Sequence, residues 1–350
     1  MSRTFQLTPD YAISRVIRGG WQLAGGHGAI DRAQAVDDLI AAFDAGIKTY
    51  DCADIYTGVE ELIGAARLKL ASERGLDVAA SMKVHTKLVP DLEILPRISR
   101  DYIRGIVEQS LKRLKTERLD LVQFHWWDYA HSGYVDAMGW LDEMRAEGKV
   151  RNLGTTNFDA PRLAEIIGAG VPLVSQQLQY SVLDQRPTHY VAELAARHGF
   201  KFLCYGSVAG GFLSDRWLGQ PEPDMNLENR SLVKYKLIID DFGGWDLFQE
   251  LLRALRSVAD RHGVDIATIA SAWVLTREHV AAVIVGARNQ SHALANAGIM
   301  DIVLSGEDLA EIGAVVGRST GPEGDVYTLE RDRKGRHGSI MHYNLNAGKK

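Results

Sequence analysis

Asp51, Tyr56, Lys87 and His125 supply a carboxylate, a phenol, an ammonium and an imidazole, each at or just beyond the end of a short apolar run. In Asp51-Cys52-Ala53-Asp54-Ile55-Tyr56 the acid closes a run containing Ile47 and Tyr50, and the tyrosine follows five residues later. A phenol with a pKa near 10 exchanges its proton at neutral pH only beside a cation that favours phenolate. Lys87 can be that cation, Asp51 can hold it in place and charged, and His125 can offer an imidazole N–H to the same substrate oxygen. Such a set polarises a carbonyl and protonates the developing alkoxide. None of the four can deliver a hydride, so a reduction would need a cofactor. Asn157 and Gln177 suit the clasping of a carboxamide, and Tyr205 offers a flat face for stacking.

These groups need a scaffold that brings strand ends together. Strand-like runs lie at Arg15–Leu23, Ile47–Ala53, Met82–Lys87, Leu119–Trp126, Val150–Asn157, Leu173–Leu178, Phe200–Tyr205 and Val280–Val285. Helical periodicity falls between them at Arg32–Asp44, Val59–Leu70, Tyr102–Leu114, Tyr134–Glu147, Pro161–Ile167 and His189–His198. Eight strands with intervening helices predict an α/β chain folded as one closed (β/α)8 barrel with long βα loops, residues 1–317, followed by a tail, residues 318–350. The tail is either a frayed end, a flap over the barrel mouth or a subunit contact. The stretch 207–244 lacks clear periodicity, and two helical patterns, Ala259–Arg261 and Ala267–Thr276, lead to the last strand.

Active sites of this fold sit at the C-terminal ends of the strands. Those ends carry Gly20, Trp21, Asp51, Lys87, His125, Trp126, Thr156, Asn157, Gln177 and Tyr205. Singly, a buried Asp or His is usually a structural partner; their joint occurrence at successive strand ends favours catalysis. Lys83 alternates with Lys87 onto the same side of its strand, but Lys87 lies at the end where Asp51 and Tyr56 also lie.

Composition narrows the partners. The 350 residues carry a formal net charge of -5, a pI near 6.1 and 46% hydrophobic residues, which gives no electrostatic case for nucleic acid or an anionic membrane. Cys52 and Cys204 stand in separate apolar runs without a CxxC or Cys/His cluster, so we expect core packing, no metal and a reducing, cytoplasmic compartment. No signal-peptide-like or membrane-length apolar run is visible. Neither GxGxxG nor GxxxxGK[ST] occurs, which excludes the usual Rossmann and Walker signatures.

The chain resembles the aldo-keto reductase family over roughly Arg15 to Asn296. The resemblance rests on Asp51-Cys-Ala-Asp-Ile-Tyr56 with Glu61-Leu-Ile-Gly64, Thr86-Lys87, His125-Trp126, Gly148-Lys-Val-Arg-Asn-Leu-Gly154 running into Thr156-Asn157-Phe158, and Gln177 with Tyr180. It implies a tetrad of Asp51, Tyr56, Lys87 and His125, a carboxamide clasp of Asn157 and Gln177, a nicotinamide stack on Tyr205 and a substrate wall including Trp21 and Trp126. Gly206-Ser207-Val208-Ala209-Gly210-Gly211 resembles the family's pyrophosphate loop, where backbone N–H groups approach phosphate. The adenosine end is implied at Gly286-Ala287-Arg288, with His292 and Asn296 on the next helix. Arg288 beside a 2′-phosphate would select NADP(H) over NAD(H). Val285, His292 and Ala295 depart from the residues frequent in the family.

The expected activity is reversible reduction of an aldehyde or ketone to the alcohol. Tyr56 would be the proton donor, with Lys87 lowering its pKa and His125 orienting the carbonyl; Trp127 is expected to pack against a loop. The alternative from another class is a cofactor-binding regulatory module that keeps the barrel and acts through a protein partner. A remoter reading is a lyase or isomerase using Tyr56 and Lys87 without redox chemistry.

Overall fold

The structure is a computed structural model that describes residues 2–24, 30–287 and 289–343. Strands β1 (Thr4–Thr8) and β2 (Tyr11–Ser14) form an antiparallel hairpin. Eight parallel strands follow: β3 (Val16–Gly19), β4 (Thr49–Asp51), β5 (Lys83–Leu88), β6 (Leu119–Phe124), β7 (Val150–Thr156), β8 (Leu173–Gln179), β9 (Lys201–Tyr205) and β10 (Val280–Gly286). They close in chain order into a barrel, with β10 pairing β3. This is the (β/α)8 barrel expected from the apolar runs.

The helices begin where side chains satisfy the free N–H groups of a first turn. Asp31 accepts from the Ala33 and Gln34 amides ahead of helix Arg32–Asp44, Ser99 caps Arg100–Arg113, and Asp159 caps Ala160–Gly168. Helix Tyr190–His198 ends at Gly199 in the left-handed conformation. The main core lies between strands and helices, and both cysteines are buried there as free thiols.

The β1–β2 hairpin, which the sequence reading passes over, plugs the N-terminal end of the barrel. Tyr11 and Ile13 are buried against Ile17, Leu121 and Leu203, and the Tyr11 hydroxyl lies 3.1 Å from His85 Nε2. The opposite end is left for the site.

The stretch 207–244 is not all loop. Helix Arg230–Phe242 buries Leu232, Tyr235, Ile238, Ile239 and Phe242, a helical spacing hidden among Lys234, Lys236, Asp240 and Asp241. Gly243, at φ 141°, separates it from the 19-residue helix Gly244–His262. The Ala259–Arg261 pattern is therefore the end of that long helix, and the next helix is Ile266–Leu275. Beyond helix Gly306–Val316 the chain returns to the mouth, where the Thr320 amide and hydroxyl donate to the Phe242 and Asp241 carbonyls. Among the described residues no helix is long and apolar enough to cross a membrane.

Candidate active site

Parallel pairing sets Asp51 beside His85, and Lys87 beside Gln123. Asp51 thereby gains three donors from three strands. Its Oδ2 lies 2.5 Å from Lys87 Nζ, and its Oδ1 accepts from Gln177 Nε2 at 2.7 Å and Gln123 Nε2 at 3.1 Å. Lys87 also donates to the Cys52 carbonyl at 2.9 Å. An ion pair this buried persists only with its remaining hydrogen-bonding capacity met, which the glutamines accomplish. Burial opposes the Lys87 charge, but Asp51 and then Tyr56 overcome it and hold the ammonium well above its ordinary range. Lys83 Nζ, by contrast, donates to the Ala80 carbonyl at 2.8 Å.

Tyr56 stands over this pair, with Lys87 Nζ 4.9 Å from its ring centroid. Burial pushes the phenol up and Lys87 pulls it down; the net shift is upward. The expected lowering by Lys87 is thus outweighed, and the phenol is held protonated. Trp21, 42% exposed, packs edge-on against Tyr56 with centroids 5.1 Å apart. Gly20 donates its amide to the Asp51 carbonyl at 2.8 Å, and a side chain there would strike that oxygen.

His125 points its Nδ1 at the Thr156 carbonyl, 3.1 Å away, while its Nε2 is buried without a partner among the described residues. A carbonyl oxygen only accepts, so the hydrogen of the neutral ring sits on Nδ1 and Nε2 carries a lone pair. The two tryptophans are also exchanged relative to expectation. Trp126 is fully buried and gives its indole N–H to the Asp128 and His131 carbonyls, whereas Trp127 packs edge-on against His125 at 4.3 Å. Adjacent side chains do diverge, but Trp126 turns toward Phe124 and Tyr134 in the core.

The proposed carboxamide clasp is divided. Gln177 faces the barrel interior, its amide engaged with Asp51 and with Gln123 Oε1 at 3.0 Å. Asn157, at φ 63°, remains at the mouth and accepts from the Tyr205 hydroxyl at 2.8 Å. In the glycine-rich turn, Ser207 directs its hydroxyl inward to Ser271 at 3.0 Å, leaving only its backbone for a ligand. Gly206 lies under Tyr235, whereas Gly211, at φ 107°, has open space where a side chain would be. On the β10 side, Asn296 Nδ2 donates to the Gly286 carbonyl at 2.9 Å. His292 is exposed, its amide bound to Asn289 Oδ1 at 3.0 Å. Arg288 lies outside the described residues.

Residues that the sequence reading did not assign complete the mouth. Gln123 was discoverable, being a polar residue two positions from His125 on a buried strand. The tail contributes more. Arg331 donates to the Asn157 carbonyl at 2.8 Å and the Trp126 carbonyl at 2.9 Å, and its guanidinium lies 4.1 Å from the Tyr129 ring centroid. Tyr327 packs edge-on against His125 at 5.7 Å. Glu330, 1% exposed, pairs with Arg186 at 3.1 Å and Lys234 at 3.6 Å, and Lys234 stands 5.3 Å above the Tyr205 ring. Asp325 accepts from the Ala160 amide at 2.7 Å, and Arg333 pairs with Asp128. Sequence spacing carries no sign of these contacts, most of which join residues more than a hundred positions apart.

The chain is 29% identical over 257 residues to flagellar radial spoke protein 5 of Chlamydomonas reinhardtii, covering 63% of this chain and 48%, about half, of that protein. It is 25% identical over 315 residues to the NADH-specific methylglyoxal reductase of Escherichia coli, covering 86% of this chain and 94% of that protein. An aldo/keto reductase from Klebsiella pneumoniae, solved in complex with NADP and acetate, shares the fold at TM-score 0.68 and 22% identity, covering 93% of this chain and 98% of that one. Residues 15–316 match the model of the Aldo/keto reductase family, and the chain belongs to that family.

Proposed function

We propose that this chain reduces an aldehyde or ketone to the alcohol, reversibly, with NADP(H) in preference to NAD(H). The observation that carries the reading is the buried Asp51–Lys87 pair directly beneath the Tyr56 phenol. When bound, the nicotinamide supplies a hydride to the carbonyl carbon. As the C=O electron pair closes onto oxygen, Tyr56 gives that oxygen its proton, and Lys87 stabilises the phenolate left behind. Asp51, held by Gln123 and Gln177, keeps the ammonium in place. Solvent then returns a proton to Tyr56.

The residues present fit such a nucleotide. Tyr205 and Asn157 would receive the nicotinamide end, and the open backbone at Gly211 would face phosphate. Gln22 Oε1, buried beside Gly286 and without a partner among the described residues, would accept from a hydroxyl or amino group at the adenosine end, near Asn296 and His292 and the position of Arg288 in the sequence. The NADP complex of the Klebsiella protein supports the phosphorylated nucleotide, and the Escherichia coli relative is the NADH-specific counter-example. Tyr327, Glu330 and Arg331 make residues 318–343 a flap of the same chain over the site.

Fluorescence titration with NADPH and NADH, followed by turnover on a carbonyl panel, tests the proposal. Binding of NADPH with reduction of at least one carbonyl is expected; failure to bind either nucleotide would end it.

A further inference from the structure

Three tyrosine rings enclose a lysine at the platform that would receive the nicotinamide. Helix Arg230–Phe242 carries Lys234, whose Nζ stands 5.3 Å from the ring centroid of Tyr205 and 5.6 Å from those of Tyr235 and Tyr327. The negative faces of such rings hold an ammonium. Glu330 lies 3.6 Å from Nζ, but its two oxygens accept from both terminal nitrogens of Arg186, at 3.1 Å and 3.2 Å. That carboxylate is thus bound more closely to another cation, and the Lys234 charge is left facing the tyrosines. Burial pulls the ammonium below its ordinary value, with Glu330 opposing.

A second cation flanks the same platform. Arg331 donates to the backbone carbonyl of Asn157, whose side chain accepts from the Tyr205 hydroxyl. The guanidinium also meets the Trp126 carbonyl and the rings of Tyr129 and Tyr327. None of these partners is an anion.

Fixed positive charges act unequally on the two redox forms of a nicotinamide nucleotide. The forms share adenosine and phosphates and differ by one hydride, whose loss leaves the pyridine ring positively charged. A cation beside Tyr205 therefore leaves the neutral dihydropyridine undisturbed and repels the pyridinium.

Building on the reductase reading, which seats the ring at Tyr205 and Asn157, we propose that Lys234, assisted by Arg331, makes the site discriminate between the redox forms of its nucleotide, retaining NADPH and expelling NADP+. Lys234 then determines specificity for the form of the cofactor and not for the carbonyl. Its use is to clear the spent nucleotide after each reduction.

Calorimetric titration of the full-length protein with NADPH and with NADP+ reads this discrimination without turnover. In the ratio of the two dissociation constants, contacts common to both nucleotides cancel, and the charge on the ring is what remains. Wild type should bind NADPH more tightly by several-fold or more. Unit charges on the order of 10 Å apart inside a protein shift an equilibrium by roughly tenfold, so Lys234→Met should reduce that preference by about this factor, mainly by binding NADP+ more tightly. Glu330 keeps both Arg186 bonds in this variant. Lys234→Arg retains the charge and should retain the preference. Equal affinity of wild type for the two nucleotides, or tighter NADP+, overturns the proposal, and this arm decides it even where Lys234→Met fails to fold. A Lys234→Met preference equal to that of wild type overturns it as well, and an equal fall in Lys234→Arg would assign the effect to packing instead of charge. Binding of neither nucleotide would end the reductase reading and this proposal with it, whereas binding at an unchanged preference ends this proposal alone.

Discussion

Glu330→Gln is the perturbation that isolates the tail from the barrel. Glu330 is buried, with Oε2 3.1 Å from one Arg186 nitrogen, Oε1 3.2 Å from another, and Lys234 at 3.6 Å. Removing one partner of a buried pair costs about 3–5 kcal/mol. Arg186 keeps Asp184 at 2.7 Å after the change, so the lower end applies, about 3 kcal/mol. At about 1.4 kcal/mol per factor of ten, this is roughly a 150-fold shift of the tail toward its open state. Hydrogen exchange reads that shift directly. The Arg331 and Asp332 amides, bonded to the Tyr327 and Thr328 carbonyls, should exchange about two orders of magnitude faster, while β5 and β6 keep their protection. Unchanged exchange at Arg331 and Asp332 would refute the idea that the Glu330 ion pairs hold the tail down, and equal acceleration throughout would show that Glu330 stabilises the whole barrel.

The same carboxyl gives a pH dependence with a defined sign. Burial alone would raise it, but Arg186 and then Lys234 hold it well below the ordinary carboxylate range. Its contribution is complete above the unfolded value of about 4.3 and lost as pH falls further, so exchange in wild type and Glu330→Gln should converge in acid and differ most at neutral pH. Tyr56→Phe should reduce kcat by at least about a thousandfold and leave the NADPH titration unchanged, since it deletes the proton and little of the packing; retained turnover would remove Tyr56 as proton donor. Lys87→Met strands the buried Asp51 carboxylate and should lower stability in urea by about 3–5 kcal/mol, with activity lost as well. A midpoint unchanged from wild type would contradict the electrostatic account of the pair.

The eight barrel strands were legible because each is a short apolar run bounded by polar turns, a signal carried by neighbours in the chain. The hairpin was equally readable in retrospect: Phe5 and Leu7 alternate, Pro9-Asp10 marks a turn, and Tyr11 and Ile13 alternate again. In helix Arg230–Phe242 the apolar spacing was present but masked by charged residues, of which Lys236 is buried and Lys234 partly buried. Trp126 and Trp127 show a different limit. Alternation says that the two diverge, but which one enters the core depends on how the chain leaves β6.

Residue type and local order were enough to establish an α/β barrel and to bring Asp51, Tyr56, Lys87 and His125 together as candidates, since a strand end and its alternation are short-range properties. What only the folded chain decided were relations across strands and across the mouth. Interstrand pairing turned Gln123 and Gln177 into the supports of Asp51, the Thr156 carbonyl chose the hydrogen-bearing nitrogen of His125, and burial set the Tyr56 phenol above its ordinary value despite Lys87. Tyr327, Glu330 and Arg331 reach the site through contacts with residues up to 205 positions away. Hydrogen bonds and desolvation depend on where atoms meet in space, and no periodicity along the chain encodes that meeting.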